Sequence, residues 1–227
     1  GFVPHDLGPY LELQAIGREY ADQRQIISGW LADGRLSDFR SALRSQAESW
    51  IEPSSGRLAF KRCCALLDPL SAVNIAFEQA MAKAAELSGF HRDISMQLVA
   101  AMNELEDNVY EHSKFSNSGL VAFQALQNRF EFAVSDRGIG VVASLKNNPS
   151  FANIQDHGIA LLQVVREGVS SRGVGVGGGF GFRRIFTGLA NINCDLRFRS
   201  GDHAITIQGS NPDPKNAFLS QKCMVSG

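Results

Sequence analysis

The sequence predicts an α/β two-layer sandwich, a mostly antiparallel sheet covered on one face by helices, preceded by a helical element. Three observations predict it. A helical pattern opens the chain. A strand, two helices and a two-stranded hairpin then follow in that order. A second pair of short strands lies around Ser200-Gly201-Asp202. Hairpins backed by helices on one side are the α+β solution to burying both kinds of element.

The first element is helical because Leu13, Ile16 and Tyr20, then Ile27, Trp30 and Leu31, recur near helical spacing with charges between them. Leu36, Phe39, Leu43 and Trp50 continue the pattern after Asp33-Gly34, so residues 10–50 are expected to be helical. Glu52-Pro53-Ser54-Ser55-Gly56 breaks it. The expected division is therefore a helical N-terminal element over residues 1–55 and a second domain over 56–227.

The second domain opens with a strand within Arg57 to Cys64. A helix runs from Ser71, a candidate N-cap, to Leu87, and Gly89 ends it. The next helix, about His91 to His112, carries an apolar stripe at Ile94, Leu98, Leu105 and Val109. Glu104, Asn108 and His112 lie four residues apart and share a face beside that stripe. Leu120 to Phe123 is a continuous apolar strand. Arg129 to Ser135 alternates, with Phe130, Phe132 and Val134 on one side and Glu131 and Ala133 on the other. The short turn at Gln127-Asn128 makes the two an antiparallel hairpin. A helix from about Gly158 to Glu167, a glycine-dense stretch from Gly173 to Gly181 and a helix from Arg183 to Ala190 come next. Asp195–Arg199 and Ala204–Ile207 are expected strands, and the tail around Asn211-Pro212-Asp213-Pro214 is expected to loop.

Bulk properties exclude several classes. The chain has 227 residues, 44% of them hydrophobic and 20% charged, an ordinary globular balance. A net charge of −1 gives no field for nucleic acid or a membrane surface. No apolar run approaches the roughly 18 residues of a membrane span. Gly1 to Asp6 has no basic stretch before an apolar one, so no signal peptide is expected. The four cysteines, Cys63, Cys64, Cys194 and Cys223, contain no C-x-x-C pair for zinc or redox chemistry. They are expected to be reduced thiols in a cytoplasmic protein.

Gly173-Val174-Gly175-Val176-Gly177-Gly178 fits G-x-G-x-x-G formally. A dinucleotide fingerprint needs a preceding strand, whereas here a helix and Ser170-Ser171-Arg172 come first. No G-x-x-x-x-G-K-[ST] occurs, which excludes an ordinary P-loop. A different set of motifs occurs in order: Glu104-x-x-x-Asn108 on a helix, Asp136-x-Gly138-x-Gly140 after a strand, a loop, then Gly177-Gly178-Gly179-Phe180-Gly181-Phe182 opening a helix. Singly, each has an ordinary explanation as a solvated helix residue, a turn or a loop. Together and in this order they resemble the N box, G1 box, lid and G2 box of the GHKL ATPase and kinase superfamily. Glu104 to His112 is similar to that family's E-L-x-x-N-A-x-x-H. The strand and helix before the N box resemble the anti-sigma serine kinase branch, and the resemblance covers roughly residues 57–207.

The resemblance implies the Bergerat fold with a mixed sheet, and ATP with Mg²⁺ between helices and lid. By resemblance Asn108 ligates Mg²⁺, a role suited to a neutral hard oxygen. Glu104 orients or deprotonates the nucleophile. Asp136 accepts the adenine amino group's hydrogens, with Gly138 and Gly140 turning the backbone tightly beside the base. Gly177, Gly179 and Gly181 let backbone N–H groups approach the phosphates at a helix N-terminus. His112 reads as structural, and Arg172 and Lys146 as solvated charges.

Three activities fit. The first is a regulatory serine/threonine kinase of the anti-sigma type acting on a protein partner. The second is an ATPase or ATP-gated switch. The third is a histidine-kinase catalytic domain acting on another chain, since residues 10–50 contain no His. The N-terminal element is a candidate docking or homodimerisation module, although packing against the rest of the chain is the simpler use of Trp30, Phe39 and Trp50. The family usually closes its sheet with a Gly-Thr strand. Met224 to Gly227 stands where such a strand is expected to begin, and Thr206 lies in a different context.

Overall fold

The computed structural model describes residues 6–19, 36–167, 185, 188, 192–209 and 218–222. Two compact units emerge: Gly1–Met102 with Asn117–Ser135, and Asn103–Ser116 with Asp136–Gly227.

The first unit is built on a four-stranded antiparallel sheet in the order β1 (Ser49–Ile51), β2 (Leu58–Arg62), β3 (Leu120–Leu126) and β4 (Arg129–Ser135). β3 and β4 form the expected hairpin, with Leu126 opposite Arg129 and Asn128 at φ 57° in the turn. Asn tolerates the left-handed region better than most residues. The turn at residues 52–56 joins β1 to β2, with Gly56 at φ 66°. Trp50, expected to be helical, sits instead in β1 opposite Phe60. Its flat indole stacks on that ring at 6.4 Å, a cross-strand contact of the kind that stabilises sheets.

Helices were expected on one face of this sheet, but they cover both. On one face α1 (Leu7–Glu19) and α2 (Ser37–Arg44) bury Leu7, Tyr10, Leu11, Leu36, Phe39 and Leu43 against Leu58, Phe60 and Ala122. On the other, α3 (Ala72–Leu87) sets Phe77 against Phe123 at 5.2 Å. Phe123 also stacks on Phe130. The Ser71 hydroxyl caps α3 by accepting from the Asn74 N–H, as expected. Burial on both faces explains why Leu58 to Lys61 are all buried in sequence; a one-sided strand would alternate. Lys61, 1% exposed, is accommodated because its ammonium donates to Asn74 Oδ1 and lies over the Phe77 ring. Glu131 faces α1 and accepts the Leu7 N–H at 2.7 Å, satisfying a first-turn donor.

The long helix α4 (Arg92–His112) forms where expected. Its buried positions are Ser95, Leu98, Val99, Met102, Glu106 and Val109. The stripe is thus rotated from the expected one, with Ile94 and Leu105 only half-buried.

The second unit carries α5 (Gly140–Leu145), α6 (His157–Leu162) continuing into a π-helical turn at Gln163–Glu167, and a three-stranded antiparallel sheet. Its strands are β5 (Leu196–Ser200), β6 (His203–Ile207) and β7 (Phe218–Gln221). Asp156 caps α6 through the Ile159 N–H at 2.7 Å. The tail, expected to loop, contributes β7, which pairs with β6 and sets Leu219 opposite Ile205. Val165, Ile205 and Ile207 form a core there with Leu219 at its margin. Every strand pairing among the described residues is antiparallel, whereas a mixed, mostly antiparallel sheet was expected. Among the described residues no helix is long and apolar enough to cross a membrane. Cys63, Cys64 and Cys194 form no disulfide.

Candidate functional site

Asp136 to Gly140 follows β4 directly, and the turn is held at three points. The Asp136 carboxylate accepts the Gly138 N–H at 2.7 Å, an Asx turn that closes the loop on itself. The Ile139 N–H donates to the Ser113 carbonyl at 2.9 Å. The Val141 N–H donates to the hydroxyl of the buried Ser200 at 3.0 Å. Ser113 is the residue after α4, and its own N–H donates to Val109 at 3.1 Å. The turn is therefore fastened to the end of the helix that carries Glu104, Asn108 and His112, and all of these belong to the second unit.

Both early glycines have physical reasons. A Cβ on Gly138 would lie 2.4 Å from the Ser113 carbonyl oxygen and 2.6 Å from its Cα. Gly140 has φ 71°, a conformation costing other residues about 1–2 kcal/mol. Gly138→Ala is expected to destabilise the fold by about 1–3 kcal/mol, the usual cost of forced overpacking. Urea unfolding followed by circular dichroism measures this. Because the clash is with main-chain atoms, adding Ser113→Gly should not restore stability; full restoration would show that the contact is only with the serine side chain.

Asp136 is largely desolvated, and burial raises its carboxyl above the usual value, opposed by the Gly138 N–H. One carboxylate oxygen serves Gly138, so the other can accept from a ligand.

On α4, Glu104 and Asn108 are half-buried. The Asn108 amide nitrogen donates to the Glu104 carbonyl at 2.9 Å. That bond leaves the amide oxygen as the atom able to ligate or accept. His112 is half-buried with Nε2 3.5 Å from Glu111 Oε2. Lys146 is exposed just past α5. Gly177, Gly179, Gly181 and Arg172 lie outside the described residues.

One contributor to the turn, and one buried carboxylate on α4, escaped sequence reasoning. Ser113 acts through its backbone, so no side-chain pattern marks it. Glu106, 3% exposed, sits on the buried stripe between Met102 and Val109; its helical spacing from both was the available signal.

Compared with protein-family models, curated proteins and solved structures, the chain matches none of them significantly. The functional reading therefore stands on the motifs and the local geometry.

Proposed function

We propose that this chain binds ATP with Mg²⁺ as a member of the GHKL superfamily with a Bergerat-type site, and acts as a regulatory serine/threonine kinase of the anti-sigma type on a protein partner. The observation that carries this reading is the fastening of the Asp136–Gly140 turn to the end of α4 through Ser113. A site of this type needs the adenine-binding carboxylate and the Mg²⁺-binding asparagine in one cleft, and that bond ties their two segments together.

The residues fit the ligand. Asp136 offers a desolvated carboxylate with an unused oxygen, suited to an exocyclic amino group. Gly138 has no space for a side chain. Asn108 presents a neutral oxygen of the type a hard cation accepts. Bound Mg·ATP would supply a transferable phosphoryl group with its charge partly neutralised. Glu104, one turn from Asn108, would then hold or accept the proton of a partner's hydroxyl.

The test is calorimetric titration with a non-hydrolysable ATP analogue, with and without Mg²⁺. Asn108→Ala is expected to remove the Mg²⁺ dependence and weaken Mg²⁺-supported binding about tenfold, on the scale of one charge-assisted contact. Glu104→Ala is expected to leave affinity unchanged and to lower turnover. No binding by the wild-type chain would overturn the reading. Mg²⁺ dependence retained in Asn108→Ala would remove that residue from the metal site.

A further inference from the structure

The first unit holds a pocket of about 400 Å³ lined by Gln14, Leu43, Arg44, Gln46 and Arg62. That volume lies within the roughly 300–1,000 Å³ of small-ligand sites. Among the described lining residues, four of five are polar, two carry guanidinium groups and none is a carboxylate.

Arg62 is fixed in place. Its Nε–H donates to the Ala47 carbonyl at 3.0 Å and its Nη2 to the Leu43 carbonyl at 2.8 Å. The guanidinium carbon lies 5.8 Å from the centre of the Phe60 ring. These bonds use two of five N–H donors and satisfy a carbonyl at the end of α2, as a helix terminus requires. Arg44 is exposed, and no carboxylate among the described residues forms an ion pair with it or with Arg62. Arg40, one turn before Arg44, adds a like charge at a spacing that destabilises a helix. Both arginines act on the buried Tyr10 hydroxyl, whose proton affinity they lower against the larger effect of burial. That hydroxyl is 3.2 Å from Gln14 Nε2.

Gln46 adds an independent observation. It follows α2 by two residues and has φ 61°. Glycine is the usual occupant of the left-handed position after a helix. Here Gln46, an exposed residue that lines the pocket, holds that position.

The geometry points to a binding site for a small phosphate-bearing anion in this pocket. Three segments supply lining residues that carry N–H donors: Arg62 from β2, Arg44 from α2 and Gln46 from the turn after it. A carboxylate offers two coplanar oxygens, whereas a phosphate group offers three around a tetrahedral centre and pairs well with arginine forks. The bound anion offsets the charges of Arg44 and Arg62 and joins α2 to β2.

Pyrophosphate titrated calorimetrically into the full chain at constant ionic strength tests this. The expected result is one saturable event, about tenfold weaker in Arg44→Gln and also weaker in Gln46→Gly, whose thermal unfolding temperature should not fall. The Asn108→Ala chain, titrated with Mg²⁺ present, should bind pyrophosphate as the wild type does, which separates this site from the phosphate side of the proposed nucleotide site. Absence of saturable binding would overturn the proposal. So would equal affinity in Arg44→Gln, or a loss confined to Asn108→Ala.

Discussion

Asp136→Asn is expected to weaken binding of a non-hydrolysable ATP analogue about 100-fold while leaving the fold intact. Asp136 has two acceptor oxygens, and the Gly138 N–H occupies one. An asparagine has a single acceptor. If its oxygen serves Gly138, its NH₂ confronts the adenine amino group; if it is reversed, NH₂ confronts the Gly138 N–H. A hydrogen bond to a charged group contributes about 1.5–3 kcal/mol, and an unpaired donor adds to the loss, so two decades of affinity follow at 1.4 kcal/mol per decade.

The same variant has an opposite effect on stability, and the sign follows from the pKa. Burial raises the Asp136 carboxyl above its ordinary 3.8 in the folded chain. A raised carboxyl pKa contributes stability that is fully present below the unfolded value and lost as pH rises through the folded one. At neutral pH the ionised carboxylate therefore costs stability, and a neutral amide relieves that cost. Asp136→Asn should melt higher, by about 2–4 °C for each kcal/mol relieved. Differential scanning calorimetry and the titration together decide the matter. Lost binding with a higher melting temperature assigns Asp136 to the ligand. Normal affinity would sink the adenine assignment, and a lower melting temperature would trace lost binding to a damaged turn.

Local signals made several parts of this molecule legible. Ser71 announces α3 because its hydroxyl competes for backbone donors wherever it stands, and it caps the helix as read. The β3–β4 hairpin was legible from its two-residue turn and from alternation in β4, with Phe130 on one face and Glu131 on the other. The Asp136–Gly140 turn was legible because two glycines at that spacing are needed for close approach and positive φ. What escaped was decided by distant partners. Trp50 reads as a continuation of the helical spacing until Phe60 pairs with it. β7 is four residues long and becomes a strand only beside β6. Coverage on both faces of the first sheet had a visible sign, the four consecutive apolar residues Leu120 to Phe123 in β3, as expected of a doubly buried strand. The rotation of the α4 stripe was hidden by Glu106, whose charge discounts a position that helical spacing includes.

Phe39→Ala is expected to destabilise the chain by about 3–5 kcal/mol, the cost of removing a large aromatic from a closed core. Phe39 is fully buried. Its ring meets Tyr10 of α1 at 5.9 Å, Trp50 of β1 at 6.2 Å and Phe60 of β2 at 5.5 Å, each edge to face. Such pairs contribute beyond area burial, and three elements lose a shared partner at once. The loss compares with the 5–15 kcal/mol total of a typical domain. Urea denaturation read by tryptophan fluorescence is well suited, because Trp50 touches the mutated site. A single transition at much lower denaturant would mean that α2 and the first sheet unfold as one cooperative body. The N-terminal helices would then be a structural layer of that sheet, and any docking role would have to use their outer faces. A change below about 1 kcal/mol, inside the ordinary surface range, would instead mean that α2 detaches without unfolding the sheet. In that case the α2 wall of the anion pocket would be separable from its β2 wall, and pyrophosphate should protect the wild-type chain against the same local opening.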